Sequence, residues 1–237
     1  MEPLKVEIWS DVVCPWCYIG KRRFESALAS FEHRDQVEVY WRSYQLDPTA
    51  PRTSELTLNE MLASKYGMTT QKAGEMNARV SSLAAAEGLD YRLEKAHPAN
   101  TFDAHRLIHL AADHDLQDAM KERLMKAYFT EGQAVGDIET LVALAVEVGL
   151  DAEEARTTLT SKTYTDEVTA DIHLARELGI TGVPFFVVNE QYGISGAQPK
   201  EVFQKTLQQV WAETHPLITI GGTGEDTGSC EGDSCAL

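Results

Sequence analysis

Two cysteines separated by two residues, Cys14 and Cys17, lie between a segment of strand character and a segment of helical character. The alternating residues 6–9 (Val-Glu-Ile-Trp) predict a strand just before them. Pro15 suits the first position of a helix, because its missing N–H group would have no partner there. The free N–H groups and the dipole of that helix start favour a thiolate at Cys14. Cys17 lies on the same helix face nearly one turn later, so the pair predicts a redox-active dithiol.

A proline introduces a second informative segment, residues 180–188 (Ile-Thr-Gly-Val-Pro-Phe-Phe-Val-Val). A proline inside a strand removes a hydrogen bond from the ladder, so Pro184 is expected at the start or the edge of a strand. Taken alone, this residue is compatible with an ordinary trans proline. Its combination with a dithiol at a helix start is the more specific signal.

The chain resembles the DsbA family, and within it the FrnE-like branch. The resemblance extends from about Lys5 to about Trp211 and is carried by residues 11–17 (Asp-Val-Val-Cys-Pro-Trp-Cys), 100–106 and 179–186. It implies an α/β chain with a thioredoxin fold and a large all-helical insertion domain. It also implies disulfide oxidoreductase or isomerase activity, without a cofactor or a metal.

The resemblance extends to the residues of the site. It implies that Pro184 is a cis proline beside the reactive sulfur, and that the backbone of Val183 binds an incoming extended polypeptide. Cys14 is expected to be the nucleophile and Cys17 the resolving thiol, with Pro15 and Trp16 completing the motif. Trp16 stands where periplasmic DsbA has a histidine, so the pKa of Cys14 is expected between about 3.5 and 7.

Charge and hydropathy narrow the choice of partners. The net charge of −16 argues against nucleic acid and against anionic membranes as partners. No stretch approaches the ~20 apolar residues of a membrane span, and residues 1–10 lack the features of a signal peptide. We therefore expect a cytoplasmic protein that acts on polypeptide thiols and disulfides, with glutathione as a further candidate substrate. In a reducing compartment its disulfides would be transient and catalytic.

The pattern of predicted elements indicates a split domain. Strands are predicted over residues 5–10 and 37–45 and again after Pro184, whereas helices alone are predicted from about 55 to 165. The predicted division of the chain is a thioredoxin-like domain (1–50 and 166–215), a helical insertion domain (51–165) and a flexible C-terminal tail (216–237). The composition of the tail, glycine-rich and acidic, does not favour a packed structure.

The tail carries a second cysteine pair, Cys230 and Cys235. We expect it to be an auxiliary redox pair that donates electrons to the Cys14–Cys17 disulfide, because nearby carboxylates disfavour the tail thiolates and make Cys14 the better leaving group. A structural zinc held by all four cysteines, in a metal-stapled binding module, is the alternative from another class.

Two further alternatives are a glutathione-dependent activity at the active site and a metal site in the helical insertion. The architecture is shared by glutathione-dependent transferases and isomerases of the kappa-like branch, but those enzymes generally have a serine where this chain has Cys14. In the predicted helix 100–114, His105, His109 and Asp113 have metal-ligand spacing, although a polar helix face is the preferred interpretation. Residues 21–23 (Lys-Arg-Arg) are interpreted as a solvated helix face.

Overall fold

The computed structural model describes residues 3–216, and a four-stranded mixed sheet lies at its centre. The strand order is β2-β1-β3-β4. β1 and β2 are parallel, whereas β3 is antiparallel to both of its neighbours. The strands are β1 (Leu4–Ser10), β2 (Val37–Ser43), β3 (Phe185–Val188) and β4 (Tyr192–Ser195).

Nine α-helices surround this sheet in the described part of the chain, and most of them fall between β2 and β3. A 3₁₀ turn (Arg34–Gln36) precedes β2, and a π-helical turn (Ala127–Glu131) continues α5. The helices are α1 (Pro15–Ala29), α2 (Leu58–Tyr66), α3 (Thr70–Ala86), α4 (Phe102–Ala112), α5 (Gln117–Lys126), α6 (Ile138–Glu147), α7 (Ala152–Thr160), α8 (Thr165–Glu177) and α9 (Lys200–Thr214).

This is the expected α/β architecture, a thioredoxin fold with a large helical insertion. Helices α1 and α9 cover one face of the sheet, where Phe24 of α1 packs against Phe186 of β3 at 5.6 Å and Phe203 of α9 at 5.8 Å between ring centroids. On the other face, the indole N–H of Trp9 donates to the backbone oxygen of Asp171 in α8 at 2.9 Å. β1 is therefore buried on both faces, and the segment that follows β1 begins in the interior of the molecule.

Helix α5 of the insertion packs against α1 and β2 through a buried lysine. The prediction that residues 21–23 form a solvated face is wrong for Lys21, whose side chain is 1% exposed. Its ammonium nitrogen pairs with Asp118 at 3.2 Å and Glu122 at 3.1 Å, both on α5, and with Glu25 of α1. The arrival of α5 from a distant part of the sequence converts an exposed helix face into an interface.

The helix predicted over residues 100–114 is slightly shorter in the structure, where it is α4. Asn100, with Asp103 in the first turn, has the sequence pattern of an N-cap, but the N-cap is Thr101, which makes no side-chain capping bond. The side-chain oxygen of Asn100 nevertheless accepts from the backbone N–H of Phe102 at 3.0 Å, and its amide donates to the backbone oxygens of Pro48 and Ala50. Asn100 therefore connects the start of α4 to the segment after β2.

One part of the predicted domain division, the tail, falls almost entirely outside residues 3–216. Cys230 and Cys235, with the rest of the predicted tail from residue 217, lie outside the described residues. The exact domain boundaries at residues 50/51 and 165/166 stay a prediction. Within residues 3–216, every helix is too short or too polar to cross a membrane.

Candidate active site

The dithiol lies at the start of α1, just beyond the buried end of β1. Cys14 is the N-cap residue, with an extended backbone (φ −88°, ψ 113°), and Pro15 occupies the first helical position. The backbone N–H of Cys14 donates to the oxygen of Asp11 at 3.3 Å, and that of Cys17 to the oxygen of Cys14 at 3.0 Å. Both cysteines are free thiols, 3% and 1% exposed. The two thiols are therefore buried at the start of α1, with very little of either side chain exposed to solvent.

The peptide bond between Val183 and Pro184 is cis and lies opposite Cys14. The Cys14 thiol donates to the backbone oxygen of Val183, with 3.6 Å between sulfur and oxygen. Gly20 of α1 allows this approach, because a Cβ atom there would lie 2.9 Å from Cγ of Pro184. The structure therefore brings together the two segments that the sequence singled out, at the distance of a sulfur hydrogen bond.

The two thiols affect each other's ionisation in opposite directions. The hydrogen bond to Cys17, burial and the charge of Cys17 raise the pKa of Cys14 well above its usual range. Burial opposes ionisation of Cys17, but a hydrogen bond from Cys14, the nearby Ser10 hydroxyl and the charge of Lys121 outweigh it and lower the pKa of Cys17. Of the two reduced thiols, Cys17 is therefore the one whose ionisation is favoured. The sequence predicted the lowered pKa at Cys14, because the helix start gives no information on the hydrogen bond between the thiols or on Lys121.

Lys121 reaches this site from α5 and is completely buried. Its ammonium nitrogen donates to the backbone oxygen of Ser10 at 3.1 Å and lies 5.5 Å from the centroid of the Trp41 ring. Burial lowers the pKa of Lys121 to about 8, against the opposing negative charges of Cys17, Asp11 and Cys14. A buried cation is therefore part of the surroundings of the dithiol.

Asp11 and His105 form a second buried pair beneath the cysteines. Nε2 of His105 lies 3.3 Å from a carboxylate oxygen of Asp11, and each side chain is 1% exposed. The other oxygen of Asp11 accepts from the backbone N–H of Leu46 at 2.8 Å. Burial raises the pKa of Asp11, but the hydrogen bonds from His105 and from the backbone N–H of Leu46 help to outweigh this and lower it. Burial also lowers the pKa of His105, so this imidazole is held neutral as a donor.

The three residues with metal-ligand spacing on α4 do not converge in the structure. His105 contacts Asp11, whereas Nε2 of His109 lies 3.1 Å from both the hydroxyl of Ser43 and the carboxylate of Asp171. Asp113 accepts from the hydroxyl of Tyr164 at 2.6 Å. Over residues 3–216, no group of three or more His, Cys, Asp and Glu side chains could hold a metal ion. The zinc alternative needs Cys230 and Cys235, which are not among those residues.

An apolar cleft of about 700 Å³ opens at the dithiol and extends between the sheet domain and the helical insertion. Cys14, Trp16 and Val183 line one end, and Trp16 is 41% exposed. Most of the other lining side chains are apolar, among them Met61, Leu62, Met76, Val80, Tyr128 and Phe129. The exposed Trp16 ring and the carbonyl of Val183 therefore lie on the same surface as the sulfur of Cys14.

Two residues of this site escaped the sequence analysis, Lys121 and Tyr91. The hydroxyl of Tyr91 donates to the backbone oxygen of Pro15 at 2.7 Å, and its ring stacks on Phe129 at 4.6 Å between centroids. No signal in the sequence could have found either one. A lysine on an amphipathic helix is normally solvated, and Tyr91 lies in a segment without a periodic pattern.

Comparisons with known proteins agree with this geometry. A family model described as a DSBA-like thioredoxin domain matches residues 5–208. The uncharacterized protein YwbO of Bacillus subtilis (strain 168) is 31% identical over 204 residues, which cover 85% of this chain and 94% of YwbO. The crystal structure of a probable DsbA oxidoreductase from Streptomyces coelicolor is 47% identical, with a TM-score of 0.85 over 99% of both chains.

A more distant structure shares the fold alone. The cytosolic disulfide reductase DsbM of Pseudomonas aeruginosa is 18% identical, with a TM-score of 0.61 over 88% of this chain and 99% of DsbM, and it has also been solved with GSH. The family match has more weight, because it spans the dithiol, the insertion and the cis proline. On this evidence the chain belongs to the DsbA-like thioredoxin-domain family of thiol–disulfide oxidoreductases.

Proposed function

We propose that this chain exchanges disulfides with polypeptide substrates through Cys14 and Cys17. The observation that carries the proposal is the sulfur of Cys14, 3.6 Å from the oxygen of Val183 at the end of an apolar cleft. To bind and react here, an extended polypeptide with a disulfide needs a reactive sulfur, a backbone segment to pair with and an apolar surface. The backbone edge aligns the peptide, and the cleft accepts its side chains.

In the proposed cycle Cys14 is the nucleophile, because its sulfur lines the cleft whereas Cys17 does not. Proton transfer within the hydrogen-bonded pair moves the negative charge from Cys17 to Cys14 at the moment of attack. Cys14 then forms a mixed disulfide with the substrate. Cys17, whose pKa is lowered by the charge of Lys121, then loses its proton and attacks the Cys14 sulfur, and the substrate leaves as a thiolate that takes up a proton.

The lining of the cleft favours an apolar polypeptide segment as substrate. Methionine side chains such as Met61 and Met76 adapt their shape to different partners, which suits a protein with several substrates. Glutathione is the second substrate to test, since DsbM shares the fold and has been solved with GSH. We propose the cytoplasm as the compartment, as for DsbM, and an isomerase activity would use the same two thiols.

Turnover of insulin disulfides with dithiothreitol as reductant tests the proposal. Cys14→Ser should abolish turnover, whereas Cys17→Ser should accumulate a covalent enzyme–insulin adduct that mass spectrometry assigns to Cys14. Glutathione disulfide is the parallel substrate, and conjugation of glutathione to an electrophile is the control for a transferase. Normal insulin reduction by Cys14→Ser would contradict the assignment, and conjugation without disulfide exchange would favour the kappa-like alternative.

A further inference from the structure

Lys121 differs from an ordinary buried lysine because it pairs with no carboxylate of residues 3–216. No carboxylate oxygen of the described residues lies within 4.0 Å of its ammonium nitrogen, although the side chain is 0% exposed. An ammonium group has three N–H donors, and one of them donates to the backbone oxygen of Ser10. Burying a cation with so few partners is unfavourable, so its position requires a compensating charge nearby.

Lys21 provides the comparison within the same molecule. It is almost as buried, and its nitrogen also lies over the Trp41 ring, at 5.8 Å from the centroid. Lys21, however, pairs with three carboxylates, on Glu25, Asp118 and Glu122. A lysine that only links two helices is expected to pair with carboxylates, as Lys21 does. The different surroundings of Lys121 indicate that its ammonium group has another role.

The titratable groups that act on Lys121 come from several elements. Cys17 and Lys21 belong to α1 and Cys14 is its N-cap, whereas Asp11 follows β1 and His105 belongs to α4. Asp11 is already hydrogen-bonded to His105 and to the backbone of Leu46, and Lys21 and His105 do not supply negative charge. The two thiols remain, and Cys17 acts on Lys121 more strongly than Cys14 does. The buried Ser10 hydroxyl, which has no hydrogen-bond partner within the distance criterion among residues 3–216, belongs to the same cluster.

We propose that Lys121 is a positioning residue that keeps the negative charge on the sulfur of Cys17 and thereby promotes the resolving step. It acts through Cys17 from the helical insertion, and the free Ser10 hydroxyl can donate to the same thiolate. The helical insertion would then contribute directly to the chemistry of the dithiol. This inference rests on the proposed function, because it takes Cys17 as the resolving thiol.

The step that Lys121 favours can be written in full for reduction of a substrate disulfide. The Cys14 thiolate attacks one substrate sulfur, and the other leaves as a thiolate that takes up a proton. The Cys17 thiolate then attacks the Cys14 sulfur, the Cys14–Cys17 bond forms, and the bond from Cys14 to the substrate breaks. The second substrate sulfur leaves with the electron pair and also takes up a proton. The two protons come from the two thiols, the substrate gains two electrons and the dithiol loses two, while Lys121 exchanges none.

Titration of Cys17 alone tests the proposal directly. In the Cys14→Ser protein, thiolate absorbance against pH reports Cys17, and Lys121→Met removes the charge at similar volume. The midpoint should rise by about one pH unit or more, which lowers the thiolate fraction at neutral pH about tenfold. Lys21→Met in the same background is the matched control, and it should lower stability but leave the midpoint in place. An unchanged midpoint in Lys121→Met would overturn the proposal.

A second measurement needs no substitution at Lys121. Carbon NMR of the lysine side chains gives the titration of Lys121 in the reduced and the oxidised wild-type protein. Oxidation removes the charge of Cys17 and leaves Asp11, Lys21 and His105 in place, so the Lys121 midpoint should be lower in the oxidised form. Equal midpoints in the two forms would reject the role. A Cys17→Ser protein that traps no adduct would instead count against the proposed function, whatever Lys121 does.

Discussion

The dithiol is surrounded by buried polar side chains that come from distant parts of the sequence. Asp11, His105 and Lys121 are each at most 1% exposed and lie on three different segments. The carboxylate of Asp11 is held by the imidazole of His105 and by a backbone N–H, so it stays ionised despite burial. Burial opposes ionisation of Cys17, but hydrogen bonds from Cys14 and Ser10 and the charge of Lys121 lower its pKa.

A pH dependence of stability follows from His105. Burial lowers the pKa of His105 below its unfolded value of about 6.5, so the unfolded chain binds a proton that the folded imidazole does not. Its contribution to stability is complete above about pH 6.5 and is lost as the pH falls through the folded pKa. The free energy of unfolding of the reduced protein should therefore decrease from about pH 7 to pH 5.

His105→Gln supplies the control for this prediction, because an amide can donate to Asp11 but does not titrate. Urea unfolding at a series of pH values should give a flatter profile for the variant than for the wild type between about pH 7 and 5. Asp11 and Asp171, whose pKa values are lowered, affect stability at lower pH in both proteins. Parallel profiles would show that His105 is not held neutral by burial.

At the residue scale the sequence could place the reacting groups but not their electrostatics. Cys14, Cys17 and Pro184 were identifiable because helix-start and strand-start positions leave local signatures. Lys21 and Lys121 were not, since each is buried by a helix or strand far away in the sequence. The expected low pKa at Cys14 followed from the helix start alone, whereas the hydrogen bond between the two thiols, the Ser10 hydroxyl and the charge of Lys121 lower the pKa of Cys17 instead.

At the element scale, α1 and the segment before β3 are held together by close packing. Gly20 lies in the interior of α1, where a methyl group would be 2.9 Å from Cγ of Pro184 and 3.5 Å from Phe186. Contacts under 3.0 Å force a neighbour to move. The distance between the sulfur of Cys14 and the backbone of Val183 therefore depends on the absence of a side chain at Gly20.

Gly20→Ala should lower both stability and activity. Overpacking costs about 1–3 kcal/mol, which the higher helix propensity of alanine offsets only in part, so a net loss of about 1–2 kcal/mol is expected. Turnover of insulin should also fall, because Pro184 must shift relative to Cys14. Gly74→Ala in α3 is the matched control, since its nearest neighbour is a flexible amide at 3.4 Å. The control should stabilise by up to about 1 kcal/mol, and equal effects of the two substitutions would contradict this account.

Element boundaries were largely predictable because glycines end several helices. A glycine after an apolar segment of helical period predicts a helix end, and Gly67 and Gly132 do adopt left-handed backbone conformations at helix ends. The periodicity of residues 118–130 predicts a single helix, whereas the structure has α5 followed by a π-helical turn. Local propensity does not distinguish these two forms, since the turn is set by packing of Tyr128 and Phe129 in the interior.

At the scale of the whole molecule, the helical insertion closes over the dithiol. It supplies Lys121 to the backbone oxygen of Ser10, Tyr91 to the backbone oxygen of Pro15, and one wall of the apolar cleft. The order of the elements along the chain predicted that an insertion exists. Which of its faces meets the sheet domain was not predictable, because that depends on contacts between residues about a hundred positions apart.

The second cysteine pair yields a prediction that concerns the complete chain. We propose that Cys230 and Cys235 donate electrons to the Cys14–Cys17 disulfide. Because the pKa of Cys17 is lowered, the favoured leaving thiolate is Cys17 when Cys14 is attacked, in place of Cys14 as first expected. Truncation after Thr219 should slow re-reduction of the active site, measured by alkylation and mass spectrometry, with a Cys230→Ser, Cys235→Ser protein as the full-length control. Unchanged kinetics in both would reject the exchange.

The central claim is a reversible disulfide between Cys14 and Cys17, and a redox titration tests it most directly. The protein is equilibrated in buffers of reduced and oxidised glutathione, quenched with acid, alkylated and mapped by mass spectrometry. We predict one disulfide joining the peptides of Cys14 and Cys17, with a midpoint potential between about −120 and −270 mV. A pair that never forms this disulfide, or one that stays oxidised below about −300 mV as structural disulfides do, would contradict the account.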